Sequence, residues 1–331
     1  MSQLLPSVQG LLRELNERPT ADFDGLDTEE SIARYLEGAR RPLDRPRGPD
    51  VDIVEDLVVG EREVPARLYR PKSERPLPAV VYYHGGGWVV GDLEMHDDTC
   101  RMLANEARCI VVSTDYRLAP EHPFPVPLDD CWSVLRWAAA HLGDRGWDGS
   151  RLAVGGTSSG GNLSAAVALR ARNEGLPLSL QLLLYPALDS TMATPSWRQF
   201  GEGHFLTASQ MAWYWRQYAG DPEVRRLPEV SPSHSTDLTG LAPSLVVTAE
   251  CDLLRDEAED YARRMSHAGV PVRLWRFRGQ IHGFLSLGAT LPEVYEAKVA
   301  IASFVGAVFD DPTVLSDDTI GQPEGAVSIR S

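Results

Sequence analysis

Gly156-Thr157-Ser158-Ser159-Gly160-Gly161 directly follows a short apolar run, residues 152–154, in this chain of 331 residues. A serine between two glycines, in the pattern G-x-S-x-G, is typical of a turn between a strand and a helix that holds a reactive serine above a sheet. The turn is so tight that only residues without a Cβ atom fit beside the serine. The pattern therefore predicts that Ser158 is a nucleophile.

A second glycine-rich stretch, His84-Gly85-Gly86-Gly87-Trp88, directly follows the apolar run 79–83. Consecutive glycines leave backbone N–H groups accessible, and a loop of this kind binds the oxyanion that forms when a serine attacks a carbonyl. Either stretch alone also suits an ordinary tight turn. Both together, in this order and each after a predicted strand, predict a serine hydrolase.

Predicted strands and helices alternate from about residue 50 onward. Short apolar strands separated by helices are typical of a mostly parallel sheet that is covered on both faces, so the predicted fold class is α/β. The predicted strands are 51–59, 64–69, 80–83, 110–114, 152–154, 180–185, 245–248 and 272–277. The predicted helices are 95–107, 128–141, a helix from the serine turn to about 173, 256–268 and 293–308.

Two segments interrupt this alternation. One precedes the first strand and has helical patterning, and the other holds an aromatic cluster that includes Phe205 and Trp213. The aromatic segment either packs as a small core of its own or forms a lid over an apolar pocket. We favour a lid built from both segments, because function concentrates on insertions at the loop ends of such sheets. The predicted boundaries are 1–48 and 190–230 for the cap, 49–189 and 231–310 for the catalytic domain, and 311–331 for an acidic tail expected to be disordered.

A base and an acid are expected after the serine, in the order acid and then histidine, if the fold is that of the α/β-hydrolases. His282 follows the last predicted strand and is the best placed of the eight histidines. His84 competes for this role, but it lies on the glycine loop and is expected to anchor that loop by hydrogen bonding. Asp252 follows the preceding strand and is the preferred acid. Glu250 and Asp256 are rivals, although Asp256 suits the first turn of a helix, where the helix dipole favours a negative charge.

The amino-acid composition limits which binding partners and which cellular location are expected for the protein. The net charge of -15 argues against nucleic acid and against an anionic membrane, because both carry the same sign. The four cysteines show no metal spacing, and we expect reduced thiols in the cytoplasm. The amino-terminal residues lack the features of a signal peptide, and no apolar run approaches the roughly 20 residues that span a bilayer. A soluble protein without membrane insertion is expected.

The chain resembles the bacterial hormone-sensitive-lipase-like esterases, the family IV carboxylesterases of the α/β-hydrolase fold. The resemblance rests on five matches: His84 to Trp88, the segment 115–125 (DYRLAPEHPFP), the serine turn, the segment 252–257, and Ile281-His282-Gly283-Phe284. Where the family most often has Asp-Ser-Ala, this chain has Thr157-Ser158-Ser159, which resembles a Gly-Thr-Ser subgroup. Leu253 stands where proline is usual in the family.

The resemblance implies an α/β-hydrolase fold with a helical cap and a nucleophilic mechanism. Ser158 would attack the ester, His282 would act as base and Asp252 would orient it. The N–H groups of Gly86, Gly87 and Ser159 would hold the oxyanion, with His84 and Gly85 shaping the loop. The family has short- to medium-chain acyl esters as substrates and often forms dimers, so a small-molecule ester and a possible homodimer are expected.

The sequence leaves the substrate open. Trp88, Phe205, Trp213 and Phe284 are expected to line an apolar acyl pocket under the cap. No G-x-x-x-x-G-K or H-E-x-x-H motif is present, so no cofactor or metal is expected. The same catalytic residues would also hydrolyse an amide or a carbamate. A binding role is a second alternative, because relatives of the family that have lost the catalytic histidine include hormone receptors. Because His282 is present, a purely binding role is disfavoured, as is a structural role for the glycine motifs.

Overall fold

One sheet of nine strands runs through the part of the chain that a computed structural model describes, namely residues 4–16, 21–41, 47–287, 291–316 and 323–328. The strands are β1 (Ile53–Val59), β2 (Val64–Arg70), β3 (Leu77–Tyr83), β4 (Ile110–Thr114), β5 (Trp147–Thr157), β6 (Leu180–Leu184), β7 (Ser244–Cys251), β8 (Val272–Ile281) and β9 (Ala326–Ser328). Their order across the sheet is β1-β2-β4-β3-β5-β6-β7-β8-β9. Strands β3 to β8 pair in parallel, whereas β1, β2 and β9 are antiparallel to their neighbours. The predicted α/β fold class is confirmed.

Helices cover both faces of this sheet. They are α1 (Pro6–Asn16), α2 (Glu29–Ala39), α3 (Asp97–Glu106), α4 (Val126–His141), α5 (Ser159–Glu174), α6 (Pro195–Phe200), α7 (Ala208–Tyr218), α8 (Pro222–Arg225), α9 (Arg255–His267), α10 (Phe284–Leu287) and α11 (Pro292–Asp310). Val80 and Tyr82 of β3 pack on the side of α3 and α11, whereas Val81 and Tyr83 pack on the side of α4 and α5. Successive side chains of a strand point to opposite faces, so burial of both faces explains why β3, β4 and β6 are buried throughout.

Four loops meet at one edge of the sheet. Strands β3, β5, β7 and β8 all run in the same direction, and the residues that follow them begin with His84, Ser158, Asp252 and His282 respectively. Binding sites of parallel α/β sheets lie at the carboxyl ends of the strands. The topology therefore brings the predicted functional residues to a single place.

Strands β3, β5, β7 and β8 are each at least three residues longer than the sequence pattern predicts. Strand β5 already begins at Trp147, which pairs with Leu77, and β8 continues past the predicted end to Ile281, which pairs with Cys251 beyond a register shift. Apart from Trp147 and Ile281, the extra residues of β5 and β8 are polar or glycine, so no continuous apolar run marks them. The extension of β8 places His282 directly after a strand.

The two segments predicted to form the cap contact each other through aromatic side chains. Trp213 of α7 donates its indole N–H to the Leu26 carbonyl (2.9 Å), and the hydroxyls of Tyr35 on α2 and Tyr214 on α7 lie 3.1 Å apart. Each helix begins at a threonine whose side chain accepts a first-turn N–H: Thr28 for α2 and Thr207 for α7. The cap boundaries themselves stay a prediction.

The expectation that residues 311–331 are disordered is wrong for their described parts. Residues 312–316 form a short 3-10 helix whose Val314 and Leu315 are buried against the α11 side of the sheet. Strand β9 then pairs antiparallel with β8, with Arg276 opposite Val327. The composition of this tail is polar, which is why disorder was expected. The tail is nevertheless ordered in these parts, because Val314 and Leu315 find an apolar surface and β9 finds the edge of β8, and both exist only in the tertiary structure.

Candidate active site

Ser158 lies in the turn between β5 and α5, where its backbone has φ of 54° and ψ of -118°. A residue with a side chain rarely adopts a positive φ, so surrounding contacts must hold the turn. Its N–H donates to the Leu184 carbonyl and its carbonyl accepts from the Asn162 N–H, both at 2.9 Å. A Cβ atom on Gly160 would lie 2.0 Å from the Tyr83 carbonyl oxygen, so α5 starts this close to β3 only because glycine is there.

His282 connects Ser158 to Asp252. Its Nε2 lies 2.9 Å from Ser158 Oγ, and its Nδ1 lies 2.8 Å from Asp252 Oδ2. The side chains of His282 and Asp252 are 8% and 1% exposed. With the Nδ1–H donating to the carboxylate, Nε2 accepts the serine hydroxyl hydrogen, which is the arrangement that lets a histidine act as base. The structure thus brings together all three residues predicted as catalytic.

Asp252 is fixed by backbone contacts at the end of β7. Its Oδ1 accepts the N–H of Leu254 at 2.9 Å, which leaves Oδ2 for His282. The two rival acids have other partners: Glu250 accepts the N–H of Gly279, and Asp256 accepts that of Ser196. Geometry therefore selects Asp252 among the three candidates.

The N–H groups of Gly86, Gly87 and Ser159 have no acceptor among the residues that the structure describes. Gly86 and Gly87 line the same cavity as Ser158, and Ser159 is the first residue of α5. First-turn N–H groups of a helix lack an internal acceptor and carry partial positive charge. These three groups are available to an anionic oxygen, as the resemblance implies.

His84 and Gly85 hold the glycine loop in place. The His84 ring stacks on Tyr116 with centroids 4.2 Å apart, and its Nδ1 lies 2.7 Å from the Gly85 carbonyl oxygen. Burial lowers the pKa of His84 to about 4, from an ordinary 6.5. Protonation of this ring would bury a second N–H, because its Nε2 has no acceptor among the described residues. His84 is therefore a neutral anchor of the loop, and the serine hydroxyl is hydrogen-bonded to His282 instead.

A second histidine that contacts this loop, His96, was missed by the sequence reasoning; it ends a short 3-10 turn (Glu94–His96) before α3. The Gly85 N–H donates to His96 Nε2 (3.3 Å), and Thr157 Oγ1 lies 3.4 Å from the same nitrogen. His96 is buried and lies in the wall of the cavity. It comes twelve residues after His84, within a polar stretch, so no local pattern marks it.

A cavity of about 210 Å³ opens at Ser158 and His282. Its floor comes from the glycine loop and from Thr157, and its roof comes from the aromatic segment around α7. The lining residues are Gly85, Gly86, Gly87, Val90, Met95, His96, Thr157, Ser158, Tyr185, Phe205, Leu206, Gln210, Met211, Tyr214, His282, Gly283 and Ser286. The site thus combines a nucleophile (Ser158), a base (His282) and N–H donors without an acceptor among the described residues, and it lies beside a small, mostly apolar cavity.

A model of the α/β hydrolase fold matches residues 80–286 of the chain, which is more than half of its length. The chain belongs to the α/β hydrolase fold family. This α/β hydrolase is 43% identical to the carboxylic ester hydrolase LipN of Mycobacterium tuberculosis over 80% of this chain and 73% of LipN. It is 37% identical to the carboxylesterase NlhH of the same species over 88% of this chain and 93% of NlhH.

Among solved structures, the hyperthermophilic esterase of the archaeon Pyrobaculum calidifontis superimposes on this α/β hydrolase with a TM-score of 0.79 and 39% identity. The match covers 92% of this chain and 99% of that esterase. The resemblance to the hormone-sensitive-lipase-like carboxylesterases is confirmed by these relatives. Membership of the Gly-Thr-Ser subgroup stays a prediction.

Three of the four aromatic residues predicted to line the pocket of this α/β hydrolase do not reach it. Trp88 is buried and stacks on Tyr218 with centroids 4.4 Å apart, Trp213 packs against Tyr35 of α2, and Phe284 packs against Phe277 of β8. The prediction is wrong for these residues, because each large ring finds a place in an apolar core. Of the four, only Phe205 is among the described residues that line the cavity, and its place in a substrate pocket stays a prediction.

The cavity wall that the sequence reasoning missed lies on α7. Gln210, Met211 and Tyr214 line the cavity. Tyr214 follows Met211 by three residues and Gln210 by four, so all three lie on one side of the helix. This periodicity was a usable signal, but it does not say which face of the helix is turned inward.

Other features of the described residues add no second site to this α/β hydrolase. A larger surface depression of about 610 Å³ lies beside α4, but two of its three arginines, Arg62 and Arg170, pair with Asp129. Within the described ranges, histidine, cysteine, aspartate and glutamate form no group of three that could hold a metal ion. None of the helices described here is long and apolar enough to cross a bilayer.

Proposed function

We propose that this protein is a serine carboxylesterase that hydrolyses esters with short to medium acyl chains. The observation that carries the proposal is the chain of hydrogen bonds from Ser158 through His282 to Asp252 at the wall of a small apolar cavity. The esterases among its relatives support the same conclusion.

In the proposed mechanism, Ser158 Oγ attacks the ester carbonyl carbon while His282 Nε2 takes the hydroxyl proton. Asp252 holds the imidazole in the required tautomer and stabilises its positive charge. The N–H groups of Gly86, Gly87 and Ser159 stabilise the oxyanion of the tetrahedral intermediate. His282 then gives the proton to the departing alcohol, and an acyl-enzyme remains. Water repeats the same steps on the acyl-enzyme, releases the acid and restores Ser158.

The size of the cavity supports a small substrate. About 210 Å³ is below the roughly 300–1,000 Å³ of sites that enclose drug-sized ligands. Apolar side chains such as Phe205, Leu206 and Met211 suit a hydrocarbon chain, and Gln210 adds a polar group. We therefore propose that activity declines once the acyl chain exceeds the space under the aromatic segment.

The proposal extends to the cap and to the location. Residues 1–48 and 190–230 are proposed to act as a lid, since the second segment supplies one wall of the cavity and the first packs against it. A cytoplasmic location is proposed because the four cysteines are buried thiols with no disulfide. The proposal also includes a homodimer, as the resemblance implies, and a small-molecule ester as the ligand of the site.

Hydrolysis of p-nitrophenyl esters from acetate to palmitate tests the proposed function. We expect the highest kcat/KM at short to medium chains, and we expect Ser158→Ala to leave at most the roughly 10³–10⁴-fold rate over water that oxyanion binding alone provides. The matched control is Ser286→Ala, because Ser286 also lines the cavity but makes no contact with His282 among the described hydrogen bonds.

Two outcomes would contradict the proposal. A Ser158→Ala protein that keeps a tenth of the wild-type rate would exclude Ser158 as the nucleophile. A folded wild-type protein that cleaves none of these esters, but does cleave the matching p-nitroanilides, would move the assignment to an amidase with the same residues.

A further inference from the structure

Arg40 directly follows helix α2, and its side chain reaches from the amino-terminal segment to three acceptors. Its Nε donates to the Val89 carbonyl (2.9 Å), and its Nη2 donates to the Ala119 carbonyl (2.8 Å). The same guanidinium makes a two-point ion pair with Glu121, at 2.8 and 2.9 Å. The Arg40 side chain is 29% exposed, so these contacts are partly shielded from water. The planar guanidinium makes four hydrogen bonds here, one more than the three N–H donors of an ammonium group could supply.

The Val89 carbonyl belongs to the turn that orients the glycine loop. The Val90 N–H, which belongs to the same peptide group, donates to the Gly86 carbonyl (3.0 Å), and the Ala119 N–H donates to the Trp88 carbonyl (2.9 Å). The peptide group that Arg40 binds is therefore two residues from Gly87 and is tied to Gly86. Arg40 also binds the Ala119 carbonyl, and so it joins the two backbone segments that hold this turn from outside.

We propose that Arg40 is a positioning residue that keeps the N–H groups of Gly86 and Gly87 aimed at the oxyanion. Docking of helix α2 on the glycine loop then becomes a condition for efficient catalysis. This inference rests on the proposed esterase function and deepens it. The amino-terminal segment would contribute to the chemical step through the backbone of the loop, without touching the substrate.

Such a role predicts which kinetic constant changes. The oxyanion exists in the transition state and not in the bound ester, so a misplaced N–H donor lowers kcat and leaves KM nearly unchanged. Loss of one oxyanion donor lowers kcat by about 10²–10³-fold, and a displacement of a catalytic group by about 1 Å lowers the rate by about 10²-fold. For Arg40→Ala we expect a fall in kcat of about 10- to 100-fold.

Three further variants separate positioning from charge and stability. Arg41→Ala removes the same charge one residue away, where the side chain contacts only Glu37 among the described residues and is mostly exposed. Glu121→Gln weakens the ion pair but leaves the bonds from Arg40 to Val89 and Ala119. Both are expected to keep a kcat near the wild-type value. Arg40→Lys retains the charge and one donor group, and we expect it to restore part of the kcat lost in Arg40→Ala.

The kinetics are paired with hydrogen exchange of the backbone amides in residues 85–91. Faster exchange and lower kcat in Arg40→Ala, with neither change in Arg41→Ala, would support the proposal. A kcat equal to that of Arg41→Ala, or a rise in KM alone, would overturn it. If the wild-type protein cleaves no ester, the proposed function fails, and the exchange rates by themselves then decide whether Arg40 holds the loop.

Discussion

His84 shows how burial sets the properties of one residue beside the active site. Its ring lies between the glycine loop and Tyr116, and its Nδ1–H donates to the Gly85 carbonyl. Burial favours the neutral imidazole and lowers its pKa to about 4. The unfolded chain binds a proton on this residue below about pH 6.5, and the folded chain does not until about pH 4. The stability that His84 contributes is thus complete above pH 6.5 and is lost as the pH falls towards 4.

Replacement of His84 by glutamine is predicted to flatten the pH dependence of stability between pH 6.5 and 4. Glutamine can still donate to the Gly85 carbonyl but takes up no proton. The free energy of unfolding of the wild type is expected to fall more steeply, by at most about 1.4 kcal/mol per pH unit, which is the limit for one proton. Chemical denaturation across this range measures the difference. The control is His141→Gln at a surface histidine, and an equal slope in His84→Gln and the wild type would contradict the prediction.

At the scale of single elements, helix α7 divides its side chains between the cavity and the core. Met211 and Tyr214 line the cavity, whereas Trp213 packs on Tyr35 and Tyr218 packs on Trp88. The Tyr214 ring also lies against the glycine loop: a Cβ atom on Gly87, where φ is 62°, would lie 2.4 Å from it. The helix therefore sets both the depth of the cavity and the space available to the loop.

Removal of the Tyr214 ring is predicted to shift the substrate preference toward longer acyl chains. Tyr214→Ala opens space in the cavity wall, and each added methylene that becomes accommodated is worth roughly 10-fold or more in kcat/KM. We expect the octanoate-to-acetate ratio of kcat/KM to rise by about 10-fold. Tyr214→Phe is the matched control, because it keeps the ring and loses only the hydrogen bonds to Tyr35 and Gln210. An unchanged ratio in Tyr214→Ala would show that the acyl chain binds elsewhere.

At the scale of the whole molecule, strand β9 covers the edge of the central sheet. It pairs with β8 at Trp275, Arg276 and Phe277, and the Arg278 N–H donates to the Gly325 carbonyl (2.8 Å). An uncovered edge strand presents free N–H and carbonyl groups that pair with other chains. The carboxyl-terminal residues therefore protect the sheet, although they take no part in the proposed chemistry.

Truncation before Pro323 is predicted to promote self-association. The shortened chain exposes the β8 edge, so its apparent mass is expected to rise with protein concentration in size-exclusion chromatography with light scattering. A chain that ends after Ser328 keeps β9 and serves as the control. Concentration-independent mass in the truncated protein, equal to that of the control, would show that β9 has no protective role. The proposed homodimer of the full chain is tested in the same experiment by its mass.

The sequence by itself determined the fold class and the three residues of the proposed catalytic chain. Gly160 lies against the backbone of β3 and Gly87 lies against the Tyr214 ring, so neither position has space for a side chain. Such constraints appear in the sequence as the two glycine-rich motifs. Asp252 and His282 follow strands, and parallel strands bring their carboxyl ends together whatever the details of packing.

Only the tertiary structure decided which side chains meet across long stretches of chain. Trp88, Trp213 and Phe284 are aromatic residues near the site, yet packing places them in the core, because an apolar ring is stabilised equally by a core and by a pocket wall. The contact of Arg40 with Val89 joins residues 49 positions apart, and β9 forms only because β8 offers it an edge. The hydrophobic effect has no preferred direction, so the local sequence pattern predicts only that a residue is buried. Which residues it packs against depends on how distant segments of the chain fit together.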